Sequence, residues 1–335
     1  MSSQIFPLDE PTRVAEVRRH AAAMAQSEGL NENAVSNTAI VATELSTNLL
    51  KHAVGGEIHL SSLFERGQKG IEILSIDRGP GINDLSRCLA DGYSSVGTAG
   101  TGLGSVLRLA STFDVYSEVG RGTVMVSRLC ARSDDSCALP RLAIGVISQP
   151  VAGETVSGDA WGINYTDRGA VLLLADGLGH GLHAADASGA AVSVFKGSSD
   201  AAPVTLLQQI HAALRGTRGA AVAVARLNYT QAKLQFGGIG NIAGRVIGEE
   251  STRHMVSHAG IAGHEARRFQ EFSYELPASA TVVLHSDGLT SAWNLGDYPG
   301  LLSRDPALIA AVLYRDATRG RDDVCVLVAR LREPV

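Results

Sequence analysis

The sequence predicts an α+β protein of two domains, and three observations carry that reading. The chain has 335 residues, and domains run to roughly 100–200 residues each, so two fit the length. Its apolar segments are mostly strand-length and are joined by only a few long helical patterns, a mixture that packs as sheets with helices on their faces. A polar stretch without periodicity, ARSDDSCALP at 131–140, ends in proline and interrupts the pattern. Residues 1–133 are therefore assigned to a first domain, 134–141 to a linker and 142–335 to a second domain.

The first domain reads in order as follows. Val14 to Glu28 is Ala-rich with helical spacing, and Gly29 is a C-terminal stop. Asn31 or Asn33 caps a second helix that runs to Ala53 and ends at Gly55-Gly56. Two strands, Glu57–Glu65 and Gly70–Asp77, flank the polar turn at 66–69. A glycine-punctuated stretch from Asp77 to Gly104 opens a helix near Ser105–Ser111, and strands at Phe113–Glu118 and Thr123–Cys130 flank Gly120-Arg121-Gly122. The second domain holds strands at Ala160–Tyr165, Ala170–Ala175, Ala221–Leu227, Lys233–Phe236, Ala243–Ile247, Phe269–Leu276, Thr281–His285 and Val324–Leu331. Its helices are Ala184–Lys196, Val204–Arg215 and Pro306–Ala317.

Composition narrows the function. At 45% hydrophobic and 19% charged residues, the chain can bury a core, which excludes wholesale disorder. The net charge of −5 is evenly spread, with 12 Lys+Arg against 14 Asp+Glu in residues 1–133 and 17 against 20 beyond. Neither part has a basic footprint, so nucleic acid is not an expected partner. Cys88, Cys130, Cys137 and Cys325 are too scattered for a disulfide framework or a zinc site and read as reduced thiols. The N-terminus lacks a signal-peptide pattern, and apolar runs such as AVLLLA fall far short of about 20 residues. The expectation is a soluble cytoplasmic protein without a membrane partner.

Two constellations carry chemistry. Glu44, Asn48 and His52 stand at i, i+4, i+8 on the second helix, with Lys51 beside them. They form one stripe. Alone, such a stripe reads first as a solvated polar face. Then Asp77-Arg78-Gly79-Pro80-Gly81 follows the apolar run ILSI, and Gly100-Thr101-Gly102-Leu103-Gly104 opens a helix whose backbone N–H groups suit an anion.

The ordered set ExxxNxxKH, DxGxG, GTGLG and GRGT resembles the ATP-binding domain of the GHKL superfamily, a Bergerat-type α/β sandwich. The phrase ATELSTNLLKHAVGGEIHL is most similar to the switch kinases that phosphorylate STAS-domain partners in stressosome modules. The resemblance implies that Glu44 is the base orienting a serine hydroxyl, that Asn48 holds Mg²⁺ and that Asp77 reads adenine. It further implies that Gly79 and Gly81 shape the cleft, that Gly100, Gly102 and Gly104 lie in the phosphate lid, and that Thr123 supports the adenine site. Lys51 and His52 fall on matching positions of the ATP site.

In the second domain, acids stand at the ends of apolar strands: Asp159 in SGDAW, Asp176 in ADGLGHG, Asp287 in HSDGL, and Asp322-Asp323 before VCVLVARL. Each Asp-Gly step alone is a turn, but several together supply hard oxygen ligands suited to Mg²⁺ or Mn²⁺. In this order they resemble the SpoIIE subfamily of PPM-type serine/threonine phosphatases, an α/β/β/α sandwich, over about residues 142–331. The resemblance implies two Mn²⁺ or Mg²⁺ ions bridged by Asp176, with the Gly177 carbonyl, Asp287 and Asp322 as ligands, Asp323 as the fallback for Asp322, and Asp159 binding directly or through water. His180 is a candidate general acid. Arg168 and Arg321 are candidates for holding the substrate phosphate.

The expected function is a partner switch. The first domain would phosphorylate a STAS-domain regulator, and the second would hydrolyse phosphoserine or phosphothreonine, controlling a stress response or sigma factor. The alternatives are an N-domain that sequesters a sigma factor, or one that binds ATP only as a sensor or docking module. A sigma factor or a downstream output protein is the further partner these imply.

Overall fold

The structure, a computed structural model, describes residues 3–65, 68–89, 102–130, 141–198, 200–249 and 251–332. The chain divides into two compact units, residues 1–140 with 303–315, and residues 141–302 with 316–335. Among the described residues no helix is long and apolar enough to cross a membrane.

In the first unit, β1 (Ser3–Pro7) leads into α1 (Thr12–Ser27) and α2 (Glu32–His52). Asn31 begins α2 by accepting a hydrogen bond from the Ala34 amide at 2.9 Å, which satisfies one of the orphan donors of the first turn. Strands β2 (Glu57–Glu65) and β3 (Gln68–Ile76), short helices α3 (Leu85–Leu89) and α4 (Gly102–Leu109), then β4 (Thr112–Glu118) and β5 (Gly122–Cys130) follow. The antiparallel sheet runs β1-β2-β3-β5-β4. Alternate residues point to opposite faces. Ile58, Leu60, Ile71, Ile73 and Met125 meet Val17, Ala21, Val41, Leu45 and Leu49 of the helices in one core.

The intervening positions His59, Glu72 and Arg128 belong to the opposite face and are also buried. There residues 303–315 complete the unit. The Arg128 guanidinium reaches Glu72 at 2.7 Å and forks onto the Asp305 carboxylate at 2.6 and 2.8 Å. Asp114 accepts the Asp305 amide at 2.8 Å, and Tyr314 meets the His59 ring edge-on. The sequence assigns 303–315 to the second domain; in the structure these polar contacts place the segment with the first unit.

The second unit holds two antiparallel five-stranded sheets. Its strands and helices are β6 (Leu142–Gln149), β7 (Asp159–Thr166), β8 (Gly169–Gly177), α5 (Leu182–Lys196), α6 (Pro203–Ala213), β9 (Ala220–Asn228) and β10 (Lys233–Ile239). Then come β11 (Ala243–Ile247), β12 (Thr252–Met255), β13 (Phe272–Glu275), β14 (Thr281–His285), α7 (Pro306–Ala317), whose first ten residues lie in the first unit, and β15 (Val324–Leu331). The sheets run β13-β10-β9-β8-β7 and β12-β11-β14-β15-β6. Strand β8 shows why AVLLLA is apolar throughout: Ala170, Leu172 and Leu174 join a core with Val282, Leu284 and Leu327 of the other sheet, while Val171, Leu173 and Ala175 pack on α5 and α6. A strand covered on both faces needs both sets of side chains apolar.

The buried Arg128 cluster makes a stability prediction. Arg128→Ala removes the cation from two carboxylates and should cost about 3–5 kcal/mol. Urea unfolding followed by circular dichroism checks this, and a loss under about 1 kcal/mol, the range of exposed ion pairs, would refute it.

Candidate functional sites

The nucleotide-type site forms where α2, α4 and the β3–β5 ends meet. Glu44 and Asn48 are half-buried on successive turns of α2. A Cβ on Gly102, the first residue of α4, would stand 3.6 Å from a Glu44 carboxylate oxygen and 3.8 Å from the Asn48 amide oxygen. The lid glycine therefore lies over both polar groups. Gly104 is buried within α4, and Gly100 falls outside the described residues. Lys51 and His52 are exposed in the last turn of α2, where cations oppose the negative helix end.

Asp77 follows β3 and is buried. Its Oδ1 accepts the Gly79 amide at 2.6 Å and the Thr123 amide at 3.3 Å. Among the described residues both of these hydrogen bonds fall on Oδ1 and none on Oδ2. Burial raises its pKa above the usual carboxylate value, opposed by those two amides. Thr123 also accepts the Asp77 amide on its carbonyl at 2.9 Å, and its hydroxyl pairs with that of Ser117. Gly81 has φ +75°, and a Cβ there would fall 2.3 Å from the Glu118 carbonyl oxygen, so only glycine lets this loop close. Glu44 further lines an open groove of about 860 Å³ with Arg18, Arg19, Val35 and Ile40.

The second site gathers acids at strand ends. Antiparallel pairing sets Asp159 of β7 directly opposite Asp176 of β8. Asp159 is buried; its Oδ2 accepts the Ser286 hydroxyl at 2.6 Å, and among the described residues its buried Oδ1 has no hydrogen-bond partner. Burial, then the charges of Asp159, Asp287, Asp322 and Asp323, push Asp176 up to about 9. Burial pushes Asp159 up to about 7, with Asp323, Asp322 and Asp287 adding to it against the Ser286 hydrogen bond. Asp287 is raised chiefly by burial and by Asp322, while Arg319 and the Asn241 amide, donating at 2.6 Å, oppose the rise.

The paired acids at 322–323 divide their tasks. Asp323 is buried and accepts the Val151 amide on one oxygen and the Gly158 amide on the other, both at 2.7 Å, so it holds the loop before β7. Asp322 is exposed, and of the two it is the freer to take a ligand. His180 is exposed and lies 2.7 Å from Glu154, a residue the sequence reading missed although it stands five positions before Asp159. Ser286 and Asn241 are likewise polar neighbours that adjacency to Asp287 or a tight connection only hints at.

Among the described residues no three Asp, Glu, His or Cys side chains close into a ready metal cage. The acids are grouped without being closed. The donor set still fits hard divalent cations: oxygen ligands without thiolates, an orphaned Asp159 oxygen and mutually raised pKa values are what cations would relieve. A Cβ on Gly177 would strike the Ala184 carbonyl oxygen at 2.0 Å, so the backbone beside Asp176 packs tightly against the start of α5.

Comparison with known proteins matches two parts of the chain to two families. Residues 8–128 match the family described as histidine kinase-like ATPase domain, and residues 166–332 match stage II sporulation protein E (SpoIIE). The serine/threonine-protein kinase RsbT of Bacillus subtilis is 39% identical over 95 residues, 28% of this chain and 70% of the relative. The phosphoserine phosphatase RsbX of Bacillus subtilis is 22% identical over 186 residues, 53% of this chain and 89% of the relative. A solved structure from work on the bacterial stressosome superposes with a TM-score of 0.54 at 27% identity, covering 57% of this chain and 100% of that one. The chain thus belongs to the RsbT-like serine/threonine kinases through its histidine kinase-like ATPase domain, and the domain that follows is similar to SpoIIE-type phosphatases.

Proposed function

We propose that this chain phosphorylates a STAS-domain regulator through its first domain and hydrolyses phosphoserine or phosphothreonine through its second, as the two opposed arms of a partner switch. The observation that carries the reading is the pairing of Glu44 and Asn48 under Gly102. A site that only sensed ATP would need no carboxylate there.

In the kinase arm, Asp77 accepts the adenine amino group on Oδ2, Asn48 holds Mg²⁺, and Glu44 takes the proton of the partner's hydroxyl. The groove beside Glu44, with Arg18, Arg19 and the exposed Ile40, suits a folded partner that presents a serine. In the phosphatase arm, Asp176, the Gly177 carbonyl, Asp287, Asp322 and Asp159 would hold two Mn²⁺ or Mg²⁺ ions, which when bound supply Lewis acidity and an activated water. Asp323 keeps the loop bearing Asp159 in place. His180, oriented by Glu154, donates a proton to the leaving serine oxygen.

Binding and transfer should separate in the first domain. Asp77→Asn should abolish ATP binding, whereas Glu44→Ala should bind ATP normally and lose phosphotransfer by about 10²–10⁴-fold. Isothermal titration with ATP and a radiolabel transfer assay on a STAS protein read the two, and wild-type transfer by Glu44→Ala would favour the sensor reading.

Phosphate release from a phosphoserine STAS protein by the full chain should cease in EDTA and return with Mn²⁺ or Mg²⁺. Asp176→Asn should lower kcat far more than it weakens partner binding. Activity that survives dialysis against EDTA would refute the metal mechanism.

The acids also set a pH dependence. Asp159 and Asp176 have folded pKa values raised to about 7 and about 9, so the folded state holds more protons than the unfolded one. Their contribution is present in full below the unfolded carboxylate pKa and is lost as pH climbs through 7 and 9. In EDTA the melting temperature should fall between pH 6 and pH 9, and Mg²⁺ should restore more of it at pH 9. Calorimetry showing no such difference would sink the cation-site reading.

A further inference from the structure

The loop that leads into β9 is fastened on both sides of Arg218. Thr217 donates its amide and its hydroxyl to the Leu214 carbonyl at 3.0 and 2.8 Å, and its hydroxyl oxygen accepts the Gly219 amide at 3.0 Å. The His264 ring bonds the Thr217 carbonyl at 2.9 Å, and Ala220 exchanges both backbone hydrogen bonds with Ala262. Pairing of β8 with β9 sets Ala220 opposite Gly177, and the Leu178 amide donates to the Gly219 carbonyl at 3.0 Å. Arg218 is thereby held across from the Asp176–Gly181 loop. A Cβ on Gly179 would stand 3.2 Å from its Nη1.

This guanidinium is exposed, and among the described residues it makes no hydrogen bond or ion pair. Arg226, on β9, instead forks onto Asp200 at 2.9 and 3.0 Å. A rigid base thus presents five unengaged donors beside the loop of the bridging acid. Arg168 cannot serve there. It precedes Gly169 at the start of β8, so eight residues at about 3.3 Å each put it some 26 Å along the strand from Asp176.

We propose that Arg218 binds the phosphoryl oxygens of the phosphatase substrate, a role that rests on the phosphatase reading above. Its planar fork matches two oxygens of a phosphate, and the fastened loop removes most of the ordering cost of that contact.

The test uses the full chain saturated with Mn²⁺ and compares Arg218→Ala, Arg218→Lys, Arg321→Ala and Arg168→Ala with wild type. Inorganic phosphate binding is measured by titration calorimetry, and KM is measured for p-nitrophenyl phosphate and for a phosphoserine protein. Arg218→Ala should weaken phosphate binding and raise KM for both substrates by about 10- to 100-fold, the scale of a charge-assisted hydrogen bond. Mn²⁺ affinity and melting temperature should hold, Arg218→Lys should recover part of the loss, and Arg168→Ala should match wild type. Unchanged phosphate affinity in Arg218→Ala overturns the proposal, as does a loss carried by Arg321→Ala instead. A KM defect confined to the phosphoprotein overturns it too, since that marks a docking contact. Wild type without activity on either substrate overturns the phosphatase reading itself.

Discussion

Repulsion among carboxylates that strand pairing forces together governs the second unit. The register of β7 on β8 places Asp159 opposite Asp176, and like charges directly opposite in a ladder are destabilising. Asp287, Asp322 and Asp323 raise that cost by adding charge near groups that are already partly desolvated. Each polar neighbour answers it in part. The Ser286 hydroxyl relieves one oxygen of Asp159, the Asn241 amide relieves Asp287, and two backbone amides hold Asp323. The Asp159 oxygen that remains without a partner marks what the protein's own atoms leave undone. Multivalent cations are the remedy such a cluster admits, and an apolar substitution would remove the site along with the strain.

The first unit solves a different problem. Its site has one buried acid, and Asp77 receives two amides on a single oxygen while the other stays open. The buried Arg315 guanidinium already supplies a nearby positive charge, so a neutral donor such as an exocyclic amine suits the open oxygen. Glu44 and Asn48 sit on a helix whose neighbouring stripe, Val41, Leu45 and Leu49, is locked into the core. Core packing therefore fixes the polar stripe, and the stripe needs no hydrogen-bond network of its own to be oriented.

Much of this was legible in the sequence. A carboxylate that terminates ILSI, AVLLLA or TVVLHS has its place set by the strand before it, so the strand-end positions of Asp77, Asp176 and Asp287 follow from local pattern. The stripe of α2 was found from helical period. Edge strands were harder to see: β1 ends in proline, β12 is TRHM with a mostly exposed face, and β6 carries a glycine and follows the break at 131–140. Their apolar periodicity is short because an edge buries less. Pairings across long sequence separation left no trace. His180 with Glu154 spans 26 positions, and Arg128 with Asp305 spans 177. The helix ALIAAVLY in α7 is apolar all round, a pattern that signals burial on every side without saying against what. The choice between Asp322 and Asp323 likewise depended on which carboxylate the Val151 and Gly158 amides capture.

Opposed activities on one chain impose a constraint of their own. If both arms act on one residue, each cycle consumes an ATP and returns the partner unchanged, so what is controlled is the steady-state fraction phosphorylated. That fraction follows the ratio of the two kcat/KM values. With separate enzymes the ratio also depends on how much of each is made, whereas one chain fixes the proportion at one to one and raises the local concentration of each activity near a shared partner. The remaining control lies in site chemistry. Under the proposed function the first site would depend on a nucleotide held by one carboxylate oxygen of Asp77, and the second on cations held by carboxylates that compete with protons. On that reading nucleotide supply acts on the kinase term alone, whereas divalent-ion supply acts on both terms, because Asn48 would hold Mg²⁺ in the first site; the nucleotide is then the handle that shifts the ratio without changing the amount of protein.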